Sequence, residues 1–351
     1  MTAEPTTEPA IADQAPKLLG HIAGYVAHRC IGLGLRAGLL AELADAPGLT
    51  ADELAERCRL DPFYVWVWCR GTLAAGVLER DDNGGTALSR DARYRLAPHM
   101  ATLLLDRDSP AYMGAVFSVL LQPEIFERFE QTLASGERMW WEDTSPEWIR
   151  AVSGSGRPFY TRLVPAGLDQ VPGLAERLRD GCRVVDTACG TGTGLLRLAE
   201  HYPRCELVGV DGDVHSLDQA RAAVAAAGLD QVELVRSPLE EMTLDRPAAV
   251  VINNISMHEC RDIDEVTRRV HDTLEPGGWF VISDFPFADN EEALQTPPGR
   301  VMSGIQFFEA QIDDQLLPRS TYDELLARHG FTDVGHVALT PMHAVTWGRR
   351  V

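Results

Sequence analysis

Apolar side chains recur at helical spacing along LLGHIAGYVAHRCIGLGLRAGLLAELAD (18–45), and the same period continues through ADELAERCRL (51–60) and PFYVWVWCRGTLAAG (62–76). Thr50 and Asp61 stand where N-caps belong, and Pro62 is at a first helical position. VLERDDNGGTALS (77–89) predicts two short strands about the DDNGG turn. From about 101 to 175 the chain predicts aromatic-rich helices, FSVLLQPEIFERFEQTL and SPEWIRAV among them. The period then changes. β-Branched runs RVVDTA, CELVGVD, VELVRS, AAVVINN and WFVISDF alternate with amphipathic GLLRLAEHY, SLDQARAAVAAAG and DEVTRRVHDTL, and FTDVGHVAL with MHAVTWGRR closes the chain as an antiparallel pair. Alternation of this kind predicts a doubly wound, Rossmann-like α/β sheet of seven strands with helices on both faces. Three helices followed by a hairpin predict a mainly α winged-helix domain. The expected organisation is a Pro/Thr/Glu-rich disordered tail (1–13), a winged helix (14–100), a helical connector that helps to line a pocket (101–175) and a ligand-binding domain (176–351).

Charge and cysteine usage narrow the chemistry. Over 351 residues the formal net charge is −20, which opposes a phosphate backbone or an anionic membrane as partner. No apolar run approaches the roughly 18 residues of a membrane span, and the acidic first residues do not form a signal peptide, so a cytoplasmic protein is expected. Seven cysteines without a CxxC pair suggest neither a disulfide framework nor a zinc site. Lys17 is the single lysine, which excludes a P-loop lysine and makes a Schiff base very unfavourable.

VVDTACGTGTG (184–194) lies between a strand and a helix, where backbone amides and a helix N-terminus face a ligand. The dinucleotide fingerprint would require glycine at position 195, which is Leu195, and the phosphate loop would require its lysine. What remains is Asp186 at the end of the first strand, the glycine turn, and Asp211 twenty-one residues beyond Gly190 at the end of the second. A carboxylate there can accept both hydroxyls of a ribose. The pattern suits a nucleoside that carries a positive charge, and S-adenosylmethionine is such a molecule.

With the LEPGG turn (274–278) added, VVDTACGTGTG and VGVD resemble the class I S-adenosylmethionine-dependent methyltransferases. The whole chain resembles their small-molecule O-methyltransferases of bacterial and plant secondary metabolism, which carry an N-terminal winged-helix dimerisation domain. The resemblance implies cofactor contacts from Tyr160, Asp186, Ala188, Cys189, Gly190, Thr191, Gly192, Asp211, Gly212, Ser237, Pro238, Leu239, Asn253 and Asn254, and release of S-adenosylhomocysteine. Cys189 stands where the family usually has glycine, and Ser237 where it often has aspartate. The family's base begins a His-Asp-Trp tripeptide after the fourth strand, and here the tripeptide is His258-Glu259-Cys260. His258 is therefore the candidate general base, placed at the carboxyl edge of the sheet.

Tyr112, Met113, Phe117, Trp141, Met257, Met302, Gln306, Gln311 and His343 are the candidate substrate contacts, suited to a flat, largely apolar small molecule with a hydroxyl. No carboxylate cluster for a metal is evident in the sequence, so none is expected. A homodimer through the N-terminal domain follows from the apolar circumference of residues 18–44 and the tryptophans of PFYVWVWC. Two alternatives keep the fold. One is a cofactor-binding enzyme that catalyses rearrangement, cyclisation or decarboxylation, or methylates carbon or nitrogen. The other is a DNA-binding regulator, disfavoured because Arg70 is the only charge on PFYVWVWCRGTLAAG and residues 14–100 carry ten acidic and ten basic side chains.

Overall fold

The computed structural model describes residues 10–81, 86, 89–229 and 232–351. The chain divides into two compact units, Met1–Ser118 and Val119–Val351. The division falls well beyond residue 100, so the predicted connector is shared between them.

The first unit runs α1 (Ile11–Arg36), α2 (Leu39–Asp45), β1 (Leu49–Thr50), α3 (Ala51–Cys58), α4 (Pro62–Ala74), β2 (Leu78–Arg80), β3 (Arg93–Leu96), α5 (Met100–Leu104) and α6 (Gly114–Val119), which crosses the division. Its three strands form an antiparallel sheet in the order β1-β3-β2. Helix α1 starts at Ile11, inside the segment expected to be a tail. Gly38, at φ 74°, separates α1 from α2. Thr50 and Glu53 close a reciprocal capping box on α3, and the Asp61 carboxylate accepts the amides of Phe63 and Tyr64 on α4, as their positions in the sequence require. The Trp68 indole donates to the Cys30 carbonyl at 2.8 Å. A Cβ at Gly34 would lie 2.5 Å from the Trp68 ring, so that glycine sets how closely α1 and α4 pack. Strand β2 pairs with Arg93–Leu96; residues 82–85 and 87–88 of the expected hairpin lie outside the described residues.

The second unit places α7 (Glu127–Thr132), α8 (Pro146–Arg162) and α9 (Leu174–Asp180) before the sheet. There follow β4 (Arg183–Thr187), α10 (Thr193–His201), β5 (Glu206–Asp211), α11 (Val214–Ala226), β6 (Val232–Arg236), β7 (Ala248–Asn254), α12 (Ile263–Thr273), β8 (Leu274–Asp284), α13 (Glu291–Leu294), α14 (Pro297–Glu309), α15 (Arg319–Arg328), β9 (Phe331–Thr340) and β10 (His343–Arg350). The seven strands lie in the order β6-β5-β4-β7-β8-β10-β9, all parallel except β10, which runs antiparallel to β8 and β9. This is the doubly wound sheet that the alternating pattern predicts. Strands β4 and β7 are buried along their whole length, consistent with helices on both faces. One apolar core holds Leu195 and Leu198 of α10 against Val184 and Ile252; the other holds Val266 and Val270 of α12 against Val251 and Phe280. Strand order reverses between β4 and β7, which is where such sheets open a crevice at their carboxyl ends. Among the described residues no helix is long and apolar enough to cross a membrane.

Candidate active site

A cavity of about 500 Å³ opens at that reversal, lined by the ends of β4, β5 and β7 and by α8. Its first wall is the turn from β4 into α10. Ala188 (φ 51°), Gly190 (φ 54°) and Gly192 (φ 82°) all adopt left-handed backbone there. Glycine does so freely, whereas Ala188 holds the conformation against its own Cβ, the kind of strain that collects at ligand sites. Gly194 fixes the approach from behind: a Cβ on it would stand 2.2 Å from the Tyr160 ring and 2.5 Å from an Asp186 oxygen.

Two carboxylates flank this turn, and both are tied to the protein. Asp186 is fully buried and accepts the Tyr160 hydroxyl at 2.9 and 3.1 Å. Asp211 accepts the Gly190 and Asp213 amides, each at 2.8 Å. Burial raises Asp186 to about 7, with the Tyr160 hydrogen bond working against it. Burial likewise raises Asp211 to about 6, opposed by the amides. A positive ligand would relieve both. The same wall has polar atoms with no protein partner, Asn254 Nδ2 and Asp213 Oδ1, a donor and an acceptor. These groups fit a nucleoside with a cationic, amino-acid-like tail.

The far end of the cavity is acidic and aromatic, with Glu240, Glu259 and Asp314 on its wall beside Trp140 and Trp141. The Arg261 guanidinium stacks on Trp140, 4.0 Å from the ring centroid. Behind Glu259 lies His258, buried, its Nδ1 at 2.8 and 2.9 Å from the Asp284 carboxylate. Asp284 also accepts the Tyr322 hydroxyl and the Phe285 amide, each at 2.7 Å. His258 Nε2 faces Glu259 at 3.8 Å and Glu309 at 3.9 Å, too far for hydrogen bonds. Burial alone would lower the imidazole, but the charge and hydrogen bond of Asp284 carry it up to about 10. Burial pushes Glu309 to about 7 and Glu259 well above the usual carboxylate range.

Residues 178–321 match the family described as a methyltransferase domain. That match lies within the second unit and covers less than half of the chain. Among curated proteins the chain is 28% identical over 204 residues to the arsenite methyltransferase of Aquipseudomonas alcaligenes, covering 54% of each chain. It spans about half the length of the first curated relatives that it matches. Solved structures match over almost the whole chain. Human N-acetylserotonin methyltransferase has a TM-score of 0.70 at 16% identity, covering 98% of this chain and 99% of that one. An O-methyltransferase family protein from Burkholderia thailandensis has a TM-score of 0.68 at 19% identity, with 98% and 99% coverage. At such identities these likenesses establish the fold.

Within residues 178–321 and α8, the cavity gathers Tyr160, Ala188, Cys189, Gly190, Thr191, Asp211, Gly212, Pro238, Leu239 and Asn254 from the expected cofactor set. The others sit beside it. Asp186 lies beneath Tyr160, and Gly192 caps α10. Asn253 donates to Thr187 and accepts from Ser256, and the Ser237 hydroxyl donates to the Pro238 carbonyl. Of the expected substrate contacts, Trp141 lines the cavity. Met257 and Met302 are buried in packing, while Gln306 holds the 314–316 backbone through Asp314 and Leu316. Gln311 is fully engaged, donating to Glu124 and Phe307 carbonyls and accepting from Arg128. His343 is buried between Ser283 and Arg162. Tyr112, Met113 and Phe117 belong to the first unit, where Phe117 stacks on His28.

Sequence reasoning missed Asp284, Glu309, Tyr322 and Arg261. Asp284 could have been found by the argument used for His258, since it ends β8 on the same edge of the sheet. Glu309 ends α14, and no spacing connects it to His258.

Proposed function

We propose that the protein is an S-adenosylmethionine-dependent methyltransferase that acts on the hydroxyl of a flat, largely apolar small molecule, as in secondary-metabolite biosynthesis. One observation carries this reading: a single cavity runs from the carboxylate-flanked glycine turn to Glu259, which stands 3.8 Å from the Nε2 of the His258 that Asp284 holds. Asp211 takes the ribose hydroxyls, Pro238 and Leu239 flank the base, and Asn254 and Asp213 supply the unpaired donor and acceptor. When bound, the cofactor supplies a methyl group on a sulfonium, activated for in-line attack. The chain's own contribution is to hold the acceptor oxygen in line and manage its proton. Trp140 and Trp141 give the acceptor's ring a face to lie on.

Asp284 fixes the His258 ring through Nδ1, which leaves Nε2 facing Glu309 and Glu259, the latter on the cavity wall. Because the imidazole is held up to about 10, His258 and the substrate hydroxyl both carry a proton near neutral pH, and the reactive form is the pair that has lost one of the two. The remaining proton sits on the substrate oxygen beside neutral His258, or on His258 beside the ionised oxygen, and the two forms give the same pH dependence. Turnover should therefore climb from pH 7 toward 10. Incubation with candidate phenols and enols tests the reaction: S-adenosylhomocysteine must accumulate in step with methylated product. Product without S-adenosylhomocysteine would move the reading to a non-methylating reaction.

The working form is a homodimer in the cytoplasm, joined through the first unit. Supporting this, Leu18, Leu19, Ile22, Tyr25 and Val26 of α1 and Phe63, Tyr64 and Val67 of α4 are all exposed, an apolar surface that a lone chain would leave in water. The seven cysteines are free, as a reducing compartment would keep them. A concentration-independent monomer mass by light scattering would exclude the dimer.

A further inference from the structure

We propose that His258, Glu259 and Glu309 form a binding site for a divalent first-row metal ion, of the Mn²⁺, Fe²⁺ or Zn²⁺ kind. One nitrogen or oxygen from each residue lies within 4.8 Å of the others, on segments that meet only in the folded chain. Three further observations point to a cation. The imidazole carries on Nδ1 the carboxylate of Asp284, itself held by Tyr322 and the Phe285 amide, which is how metal-binding histidines are oriented so that the other nitrogen faces the ion. Glu309 is buried, and its Oε2 has no hydrogen-bond partner in the protein. Finally, Glu259 and Glu309 both approach His258 Nε2 without reaching hydrogen-bond distance, which leaves a gap that a cation can bridge.

The spacing suits an ion after a small adjustment. Ligand atoms at about 2.1 Å from a metal stand roughly 3.0 to 3.4 Å apart. The separations of 3.8 and 3.9 Å from His258 Nε2 therefore need to contract by less than about 1 Å. One imidazole and two carboxylates are a donor set of intermediate hardness, and the nearby Cys260 thiol is turned away to the Ser256 carbonyl. Glu259 borders the cavity, so the ion would keep positions open toward a bound molecule. An ion at Nε2 occupies the lone pair that His258 would use as a base, so the metal-bound form and the general-base form are alternatives. Two neighbouring oxygens, as in a catechol or an α-hydroxy ketone, would fill the open positions. That last consequence rests on the methyl-transfer reading; the site itself does not.

The test is a titration of chelator-treated, full-length protein with Mn²⁺ alone, followed by calorimetry and by loss of the free-ion electron paramagnetic resonance signal. Saturable binding of one ion per chain is expected, with Glu259→Gln and Glu309→Gln each weakening it at least tenfold. Asp284→Asn should weaken it by about 10- to 100-fold while leaving the stoichiometry at one. Absence of saturable binding below about 1 mM in the wild-type protein overturns the proposal, whether or not the variants fold. So does binding that is unchanged in both glutamate variants. No cofactor or substrate is present, so failure here leaves methyl transfer untouched, and failure to bind S-adenosylmethionine leaves this site untouched.

Discussion

The two ends of the cavity solve opposite problems. At the glycine turn each carboxylate already has protein donors, Tyr160 for Asp186 and two amides for Asp211, so the geometry is set before any ligand arrives. At the acceptor end three carboxylates surround one imidazole, and only Asp284 is fully engaged by it. The first arrangement gives affinity through preorganisation. The second leaves a charge to be completed by a proton, a cation or a substrate, and it is there that the chemistry can be adjusted.

The comparison predicts separable failures. The largest is at the acceptor end: His258→Ala should leave cofactor affinity nearly unchanged while kcat falls by roughly 10²- to 10⁴-fold. Partial recovery at high pH should follow, as the substrate ionises unaided. A wild-type rate at pH 7 would remove His258 from the reaction. Gly194→Ala probes the other end by pressing a methyl group onto Tyr160 and Asp186. A loss of about 1 to 3 kcal/mol in stability is expected, read as a lowered midpoint in denaturant, with weaker cofactor binding.

These ends also differed in how far they could be read from the sequence. Asp186, the glycine turn and Asp211 lie on consecutive strand-to-turn segments, so local pattern and strand order place them together. Asp284 and Glu309 reach His258, and Tyr322 reaches Asp284, from three separate elements that tertiary packing alone unites. Gln311 and His343 looked like pocket residues because amide and imidazole groups are common there, yet each is satisfied within the fold. The β2–β3 pairing was not legible in the Asn-Gly turn chemistry; Tyr94, a large side chain facing the core, fixes its register at 93–96.

Subtler still is the pH response of the ligand-free protein. Asp186 and Asp211 are raised to about 7 and about 6, above their unfolded values, so the stability they contribute is full in acid and lost as pH rises through those values. His258, raised to about 10, changes stability in the same direction over a higher range. The melting temperature should therefore fall as pH rises from 5 to 8, and a saturating sulfonium ligand should flatten that fall. The smallest effect is expected from Tyr160→Phe, about 1 kcal/mol of cofactor affinity, because it removes one hydroxyl donor from Asp186.

Calorimetric titration with S-adenosylhomocysteine, on the wild-type protein and on Asp211→Ala, addresses the cofactor end without any knowledge of the substrate. Saturable binding of one molecule per chain is predicted for the wild type. Asp211→Ala should weaken it by on the order of 2 to 4 kcal/mol with the fold intact by circular dichroism. No binding to the wild type, or equal affinity in the variant, would contradict the account.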